Sequence, residues 1–394
     1  MQTVRQFYLR SWRGIFLGLS LTLAACLLYF YRLGSFLPGY STPELSAHAA
    51  ASSWHNLVGY PVNLPYKAFV WLFTAEVHSS ILTTRVVSAS FAVLLALLFF
   101  VVARAWYTYR VAFLATVLFM ASAGLLHFAR LGTGDILQMS VLVLLAAVLW
   151  YRTEREHRSI IGYLLVVLAT MLLYIPGMIW FELLGIIVLR TTIIGQLRRV
   201  KRLNLAGFTL VFLICIAPLI RAGFKRPKLL LQLSGLPQHM STLKHFGDNL
   251  WNLVSAISVH SNGNPLLWVG HAPLLNATEV IVGLLGAYYI YRGKSKRRTF
   301  LLGWFGIGLV LVSLGGSVTF ACLVPLLYLF IANGLDHLLG RWLAVFPRNP
   351  IARMTGIGII CVVVLFSVLY QVRVYYVAWP NAPATQAVFD HPVR

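Results

Sequence analysis

Apolar residues in this chain gather into long runs separated by short polar breaks, and the runs are too continuous for the core of a soluble domain. They cover about 15–32, 82–103, 110–128, 132–150, 159–175, 178–195, 204–220, 277–292, 299–314, 318–335 and 354–374. The pattern predicts an all-α polytopic membrane protein with about eleven transmembrane helices. Arg5, Arg10 and Arg13 precede the first run and no small-residue cleavage motif follows it, so the run reads as a retained signal-anchor helix. Basic residues fall mainly in the breaks expected on one side, from Arg104 and Arg110 through Arg152, Arg155 and Arg158 to Arg341, Arg348 and Arg353. By the positive-inside rule that side is cytoplasmic, with the amino terminus inside and the carboxyl terminus outside.

Two breaks are long, at 33–81 and 221–277, and both fall on the external side. A single transmembrane domain over 1–376 with a short external tail, 377–394, is the expected organisation. Within the first loop, Ser41-Thr42-Pro43-Glu44 opens a predicted Ala-rich helix running from Glu44 to Asn56. Glu44, His48, Ser52 and His55 would share one face of it. Pro61 and the Asn63-Leu64-Pro65-Tyr66-Lys67 stretch then lead into a second amphipathic piece through Trp71 and Glu76. In the second loop, a basic cluster (Arg221, Lys225, Arg226, Lys228) precedes a predicted amphipathic helix over 243–257 and a Gly/Asn/Pro-rich stretch over 261–273.

Composition refines this picture. Hydrophobic residues make up 59% of the chain, and only 11% of residues are charged. The net charge of +22 could suggest nucleic acid, but most of it forms a collar suited to anionic lipid head groups. No nucleic-acid partner is expected. Cys26, Cys215, Cys322 and Cys361 all lie in apolar runs and imply neither a disulfide framework nor a zinc site.

Acidic residues are scarce enough to sort one by one. Glu154, Glu156 and Asp336 read as loop charges among arginines, and Glu76, Asp248, Glu279 and Asp390 as external structural residues. Glu182 would sit inside the sixth run, where an acid needs a cavity or a partner. Glu44 and Asp135 remain as catalytic candidates, two carboxylates from separate external segments that could take a proton from an acceptor hydroxyl and orient a metal or a basic residue, with Glu44 the expected base. Each also fits a plainer role near a helix start, Glu44 in the first turn and Asp135 as a cap. Lys67, Arg85 and Arg130 are candidate phosphate-binding cations at the membrane surface, although Arg85 also fits a snorkelling helix-end residue. His48, His55, Tyr66 and His271 are further substrate-binding candidates, and His127 with the 261–273 stretch could line a groove. No cofactor is required. A divalent metal on Glu44 and His48, spaced one helical turn apart, is an open alternative.

The order of Ser41-Thr42-Pro43-Glu44, Asn63-Leu64-Pro65-Tyr66-Lys67, Thr84-Arg85-Val86-Val87-Ser88-Ala89 and Ala129-Arg130-Leu131-Gly132-Thr133-Gly134-Asp135 resembles the amino-terminal half of GT-C membrane glycosyltransferases. It is most similar to the branch containing protein O-mannosyltransferases and the lipid A aminoarabinose transferase. The resemblance covers roughly residues 10–150 and is topological beyond. It implies a GT-C-like first external loop with interfacial helices and a polyprenyl-phosphate sugar donor. It further implies hexosyl or pentosyl transfer with inversion to a lipid, glycan or protein acceptor, on the outer face of the plasma (inner) membrane. Matched residue by residue, Glu44 takes the place of the acidic pair, Lys67 of the carrier-phosphate lysine, Arg85 of the arginine opening the second span, and Asp135 of the second acid. Pro43 stands where the family has Asp. That departure keeps a catalytically silent carrier-lipid binder in view. A lipid-linked glycan transporter is a third reading, disfavoured because it needs charges within several spans.

Overall fold

The computed structural model describes residues 12–76, 80–153, 158–197, 200–239 and 242–390. Of the residues given roles above, Arg5, Arg10, Glu154, Arg155 and Glu156 lie outside them. Every apolar run forms a helix, because a chain in lipid must satisfy its backbone groups internally. Among the described residues, six helices are long and apolar enough to cross a membrane: Leu82–Trp106, Gly134–Arg152, Met178–Gln196, Arg202–Lys225, Phe320–Val345 and Pro350–Ala378. A seventh arises if the pair Tyr109–Ala121 and Ala123–Arg130, bent by 53°, is one span. Phe16–Phe30 and Ser159–Leu172 are apolar but shorter. Ala277–Arg292 and Lys296–Ser313 complete the set of helices on the eleven runs. The helices and the fold mark an integral membrane protein.

Local chemistry explains the breaks. Ser122 takes an extended conformation, ψ 138°, and its hydroxyl caps the next helix by accepting from Leu125 N at 3.2 Å, which produces the bend. The helix expected over Glu44–Asn56 is instead two. Thr42–Ala51 ends at Ser52, and Ser53 caps Trp54–Gly59 through Asn56 N. His55 therefore leaves the face shared by Glu44 and His48. The 243–257 expectation is met by Leu243–Ser258.

The core is continuous from Leu21 to Phe389. Ala277–Arg292 and Val324–Val345 approach so closely that a Cβ on Gly286 would fall 1.8 Å from the Phe330 carbonyl, and one on Gly334 2.1 Å from that of Val282. Small residues at such crossings let backbones touch. The carboxyl-terminal segment is not a free polar tail. Trp379 and Phe389 are buried, and Phe36 of the first loop stacks on Tyr375 at 5.5 Å.

The turns expected outside gather at one end of the bundle. Asn63 N donates to the Tyr174 carbonyl (2.8 Å), Gly177 N to that of Leu233 (2.8 Å), and Ser317 Oγ to that of Gln232 (2.6 Å). The candidate site lies among these turns.

Candidate active site

Glu44 is completely buried and both its oxygens are engaged. Oε1 accepts from Arg85 Nε at 2.7 Å and from Gly132 N at 2.9 Å. Oε2 accepts from Arg85 Nη2 at 3.0 Å, Ser41 N at 2.9 Å and Ser41 Oγ at 3.0 Å. The contact with Ser41 N is half of a capping box, with Glu44 at the third helical position. Pro43 sits at the second, where the missing N–H would have had no intrahelical partner. Its presence therefore has a local structural reason. Arg85 is buried as well, donates to the Gly39 carbonyl at 2.8 Å and lies over the Tyr40 ring at 4.4 Å. It is neither a snorkelling residue nor open to a ligand.

Asp135 has a different setting. It opens the turn Gly134–Met139, is only half-buried, and accepts from Thr133 Oγ1 at 3.0 Å and, at the geometric limit, from Gln138 Nε2 at 3.5 Å. Both donors are neutral. The turn is pinned on each side: a Cβ on Gly132 would strike Thr84 Oγ1, and one on Gly134 would lie 2.5 Å from Asn63 Nδ2. Since three extended residues span at most about 11 Å, Glu44 and Asp135 are tied to one short turn.

Asn63 adopts a left-handed conformation, φ 55°, and its side-chain Oδ1 is buried without a partner. Its carbonyl accepts from Lys67 N at 3.1 Å, so the lysine helix starts on the residue that touches Gly134. Lys67 is nearly buried. Its Nζ donates to the Tyr60 carbonyl at 2.9 Å and lies 4.9 Å from the Tyr60 ring centroid. Among the described residues, no carboxylate pairs with it. Burial lowers its pKa from the ordinary lysine value to about 8. Tyr60 in turn donates to Gln232 Oε1. The sequence did not single out Gln232 or Gln138. Gln138 Oε1 accepts from Thr319 N (2.7 Å) and Thr319 Oγ1 (3.0 Å), which ties the Asp135 turn to the 315–319 turn. The one sequence signal for it is its position three residues after Asp135.

The other candidates are dispersed. Tyr66 is buried and donates to the Thr84 carbonyl at 2.8 Å, and burial raises its pKa. Arg130 is buried and, through Nη1, donates to the carbonyls of Leu28 (3.3 Å), Tyr29 (3.2 Å) and Tyr31 (2.7 Å). It thereby caps the carboxyl end of Trp12–Phe30, where a cation complements the helix dipole. Its Nε and Nη2 have no partner. His55 and His271 are exposed, and His271 donates to its own loop at Ser261 (3.2 Å). His127 is buried and donates to the Leu266 carbonyl at 3.1 Å, which docks the 261–273 stretch on the Ala123–Arg130 helix. His48 Nδ1 and Glu182 Oε1 are buried without partners. Among the described residues, no group of three His, Cys, Asp or Glu side chains could hold a metal, and Glu44 has no free oxygen to offer one beside His48. The four cysteines are unpaired.

No protein-family model matches the sequence, and neither does any curated protein. Solved structures do match. ArnT from Cupriavidus metallidurans bound to undecaprenyl phosphate superposes with a TM-score of 0.54 at 14% identity, covering 94% of this chain and 76% of that one. Its apo form gives 0.52 at 14% identity, covering 95% and 77%. ArnT is the lipid A aminoarabinose transferase, of the GT-C family. The chain shares the fold of these structures. In this fold the first long loop lies over the turn after the bent helix pair, and that contact runs through Glu44 to Gly132 and Asn63 to Gly134.

Proposed function

We propose that this chain is a membrane glycosyltransferase moving a sugar from a polyprenyl-phosphate carrier to a hydroxyl of a lipid, glycan or protein acceptor, with inversion, on the non-cytoplasmic face of the plasma membrane. The observation that carries the reading is Lys67, a nearly buried cation without a carboxylate partner, on a helix that starts against the Asp135 turn. Such a cation suits a phosphate, and the structural relative ArnT is described with undecaprenyl phosphate bound.

In this reading Asp135 is the base. An acceptor hydroxyl attacks the anomeric carbon, its proton passes to Asp135, and the bond from that carbon to the phosphate oxygen breaks. A single displacement inverts the centre. Lys67 neutralises the charge that develops on the departing polyprenyl phosphate, a leaving group that needs no separate acid. Glu44 is a positioning residue, because both its oxygens are occupied by Arg85, Ser41 and the Gly132 N–H. Arg85 and Arg130 hold the frame, and no step passes through a metal.

The occupied state of Glu44 also favours one other reading, a carrier-lipid binder without turnover. Binding of undecaprenyl phosphate, followed by native mass spectrometry of the purified protein, tests the feature common to both. Wild type should retain the lipid, and Lys67→Met should lose it with no fall in melting temperature. Equal retention by Lys67→Met would remove the phosphate site.

A further inference from the structure

A cavity of about 460 Å³ lies at the far end of the bundle, lined by Thr108, Arg110, Asp336, Leu339, Gly340 and Leu343 among others. The Leu82–Trp106 helix separates it from the candidate active site, since Arg85 to Thr108 spans roughly 35 Å at 1.5 Å per residue. Its volume falls in the range of small-ligand sites. Arg110 and Asp336, of opposite charge, line this one space without forming an ion pair with each other. Arg110 is exposed, and Asp336 is half-buried beside the Thr108 backbone. Arg297 and His337 also face Asp336, and neither pairs with it. Arg297 is instead held by Tyr107 Oη and Asn333 Oδ1, between the Trp106 and Tyr107 rings.

A cation and an anion across one cavity, neither in an ion pair among the described residues, match a ligand that carries both signs. The apolar wall, Leu339 and Leu343, continues into the exposed side chains of Leu338, Trp342 and Val345 at the end of the Val324–Val345 helix. A span end with an apolar flank is where lipid head groups lie. We infer that this cavity binds the head group of a phospholipid bearing a phosphate and a primary ammonium, the phosphate on Arg110 and the ammonium on Asp336. An ammonium with three N–H donors is a better partner for a carboxylate than a quaternary amine. The inference is independent of the proposed transferase activity.

The test titrates the purified full-length chain in detergent with phosphatidylethanolamine, phosphatidylglycerol or phosphatidylcholine, and reads retained lipid by native mass spectrometry. Phosphatidylethanolamine should bind about tenfold more tightly than either of the others, the worth of one charge-assisted hydrogen bond. Asp336→Asn should abolish that preference over phosphatidylglycerol, and Arg110→Gln should weaken both lipids. Gly340→Leu fills the cavity from a position where an added Cβ meets nothing within 4 Å. It should weaken both lipids without lowering the melting temperature. Equal retention of the three lipids by wild type would overturn the assignment, as would a preference that survives Asp336→Asn and Gly340→Leu. Displacement of the lipid by equimolar free phosphoethanolamine would overturn the lipid as the source.

Discussion

Glu44 and Arg85, 41 residues apart in sequence, form a buried ion pair at 2.7 Å, and the same carboxylate oxygen accepts from the backbone N–H of Gly132. One side chain thus joins the first long loop, the start of the Leu82–Trp106 helix and the turn that carries Asp135. Removing either partner leaves a buried charge without compensation.

Glu44→Ala and Arg85→Ala should each destabilise the protein by about 3–5 kcal/mol. Thermal melting in detergent reads this. Glu44→Gln keeps the shape but weakens the pairing, so it should melt lower than wild type and lose activity in proportion to the displaced turn. Unchanged melting of Glu44→Gln would contradict the latch.

Gly132→Ala drives a methyl group into Thr84, and overpacking of this kind costs about 1–3 kcal/mol. The methyl group also pushes Gly132 N away from Glu44. Sugar transfer should fall more than lipid retention, because the displaced element carries Asp135 rather than Lys67. Single-turnover transfer and lipid binding measured side by side separate the two.

If Lys67 holds the donor phosphate as proposed, it should set the pH dependence of donor binding. Its folded pKa of about 8 lies below the ordinary lysine value, so the free protein loses this charge as pH rises through 8. Affinity for undecaprenyl phosphate should therefore decline between pH 7 and 9, and Lys67→Arg should move the decline to higher pH. The stability sign is opposite. Below pH 8 the folded state bears the full cost of burying the ammonium, and that cost is relieved as pH rises toward the unfolded lysine value. Lys67→Met should accordingly melt higher than wild type at pH 7, with the gap closing toward pH 10.

Much of the architecture was legible because it rests on local pattern. The apolar runs located the six helices long enough to cross a membrane among the described residues, and the order of Glu44, Lys67, Arg85 and Asp135 assembled segments that do meet at one end of the bundle. What each residue does there was not legible, because it depends on what faces it. Glu44 reads as a base from its own segment, yet Arg85 and Gly132 occupy it from far along the chain. Gln138, Asn63 and Gln232 carry no signal of their own, since an amide becomes informative only through its tertiary partners. The Ala-rich stretch after Glu44 concealed a break that two serines create by capping. Pro43, a departure from the family pattern, fits its helix start without strain.

Sugar transfer from native polyprenyl-phosphate donors by purified protein, wild type beside Asp135→Asn, tests the central claim most directly. The account predicts turnover by wild type and a loss of about 10²- to 10⁴-fold in Asp135→Asn, the usual worth of a general base, with lipid retention and melting unchanged. Turnover that persists in Asp135→Asn would contradict the assignment of the base. Lipid binding without turnover by wild type, for every donor offered, would contradict the transferase reading and leave the silent binder.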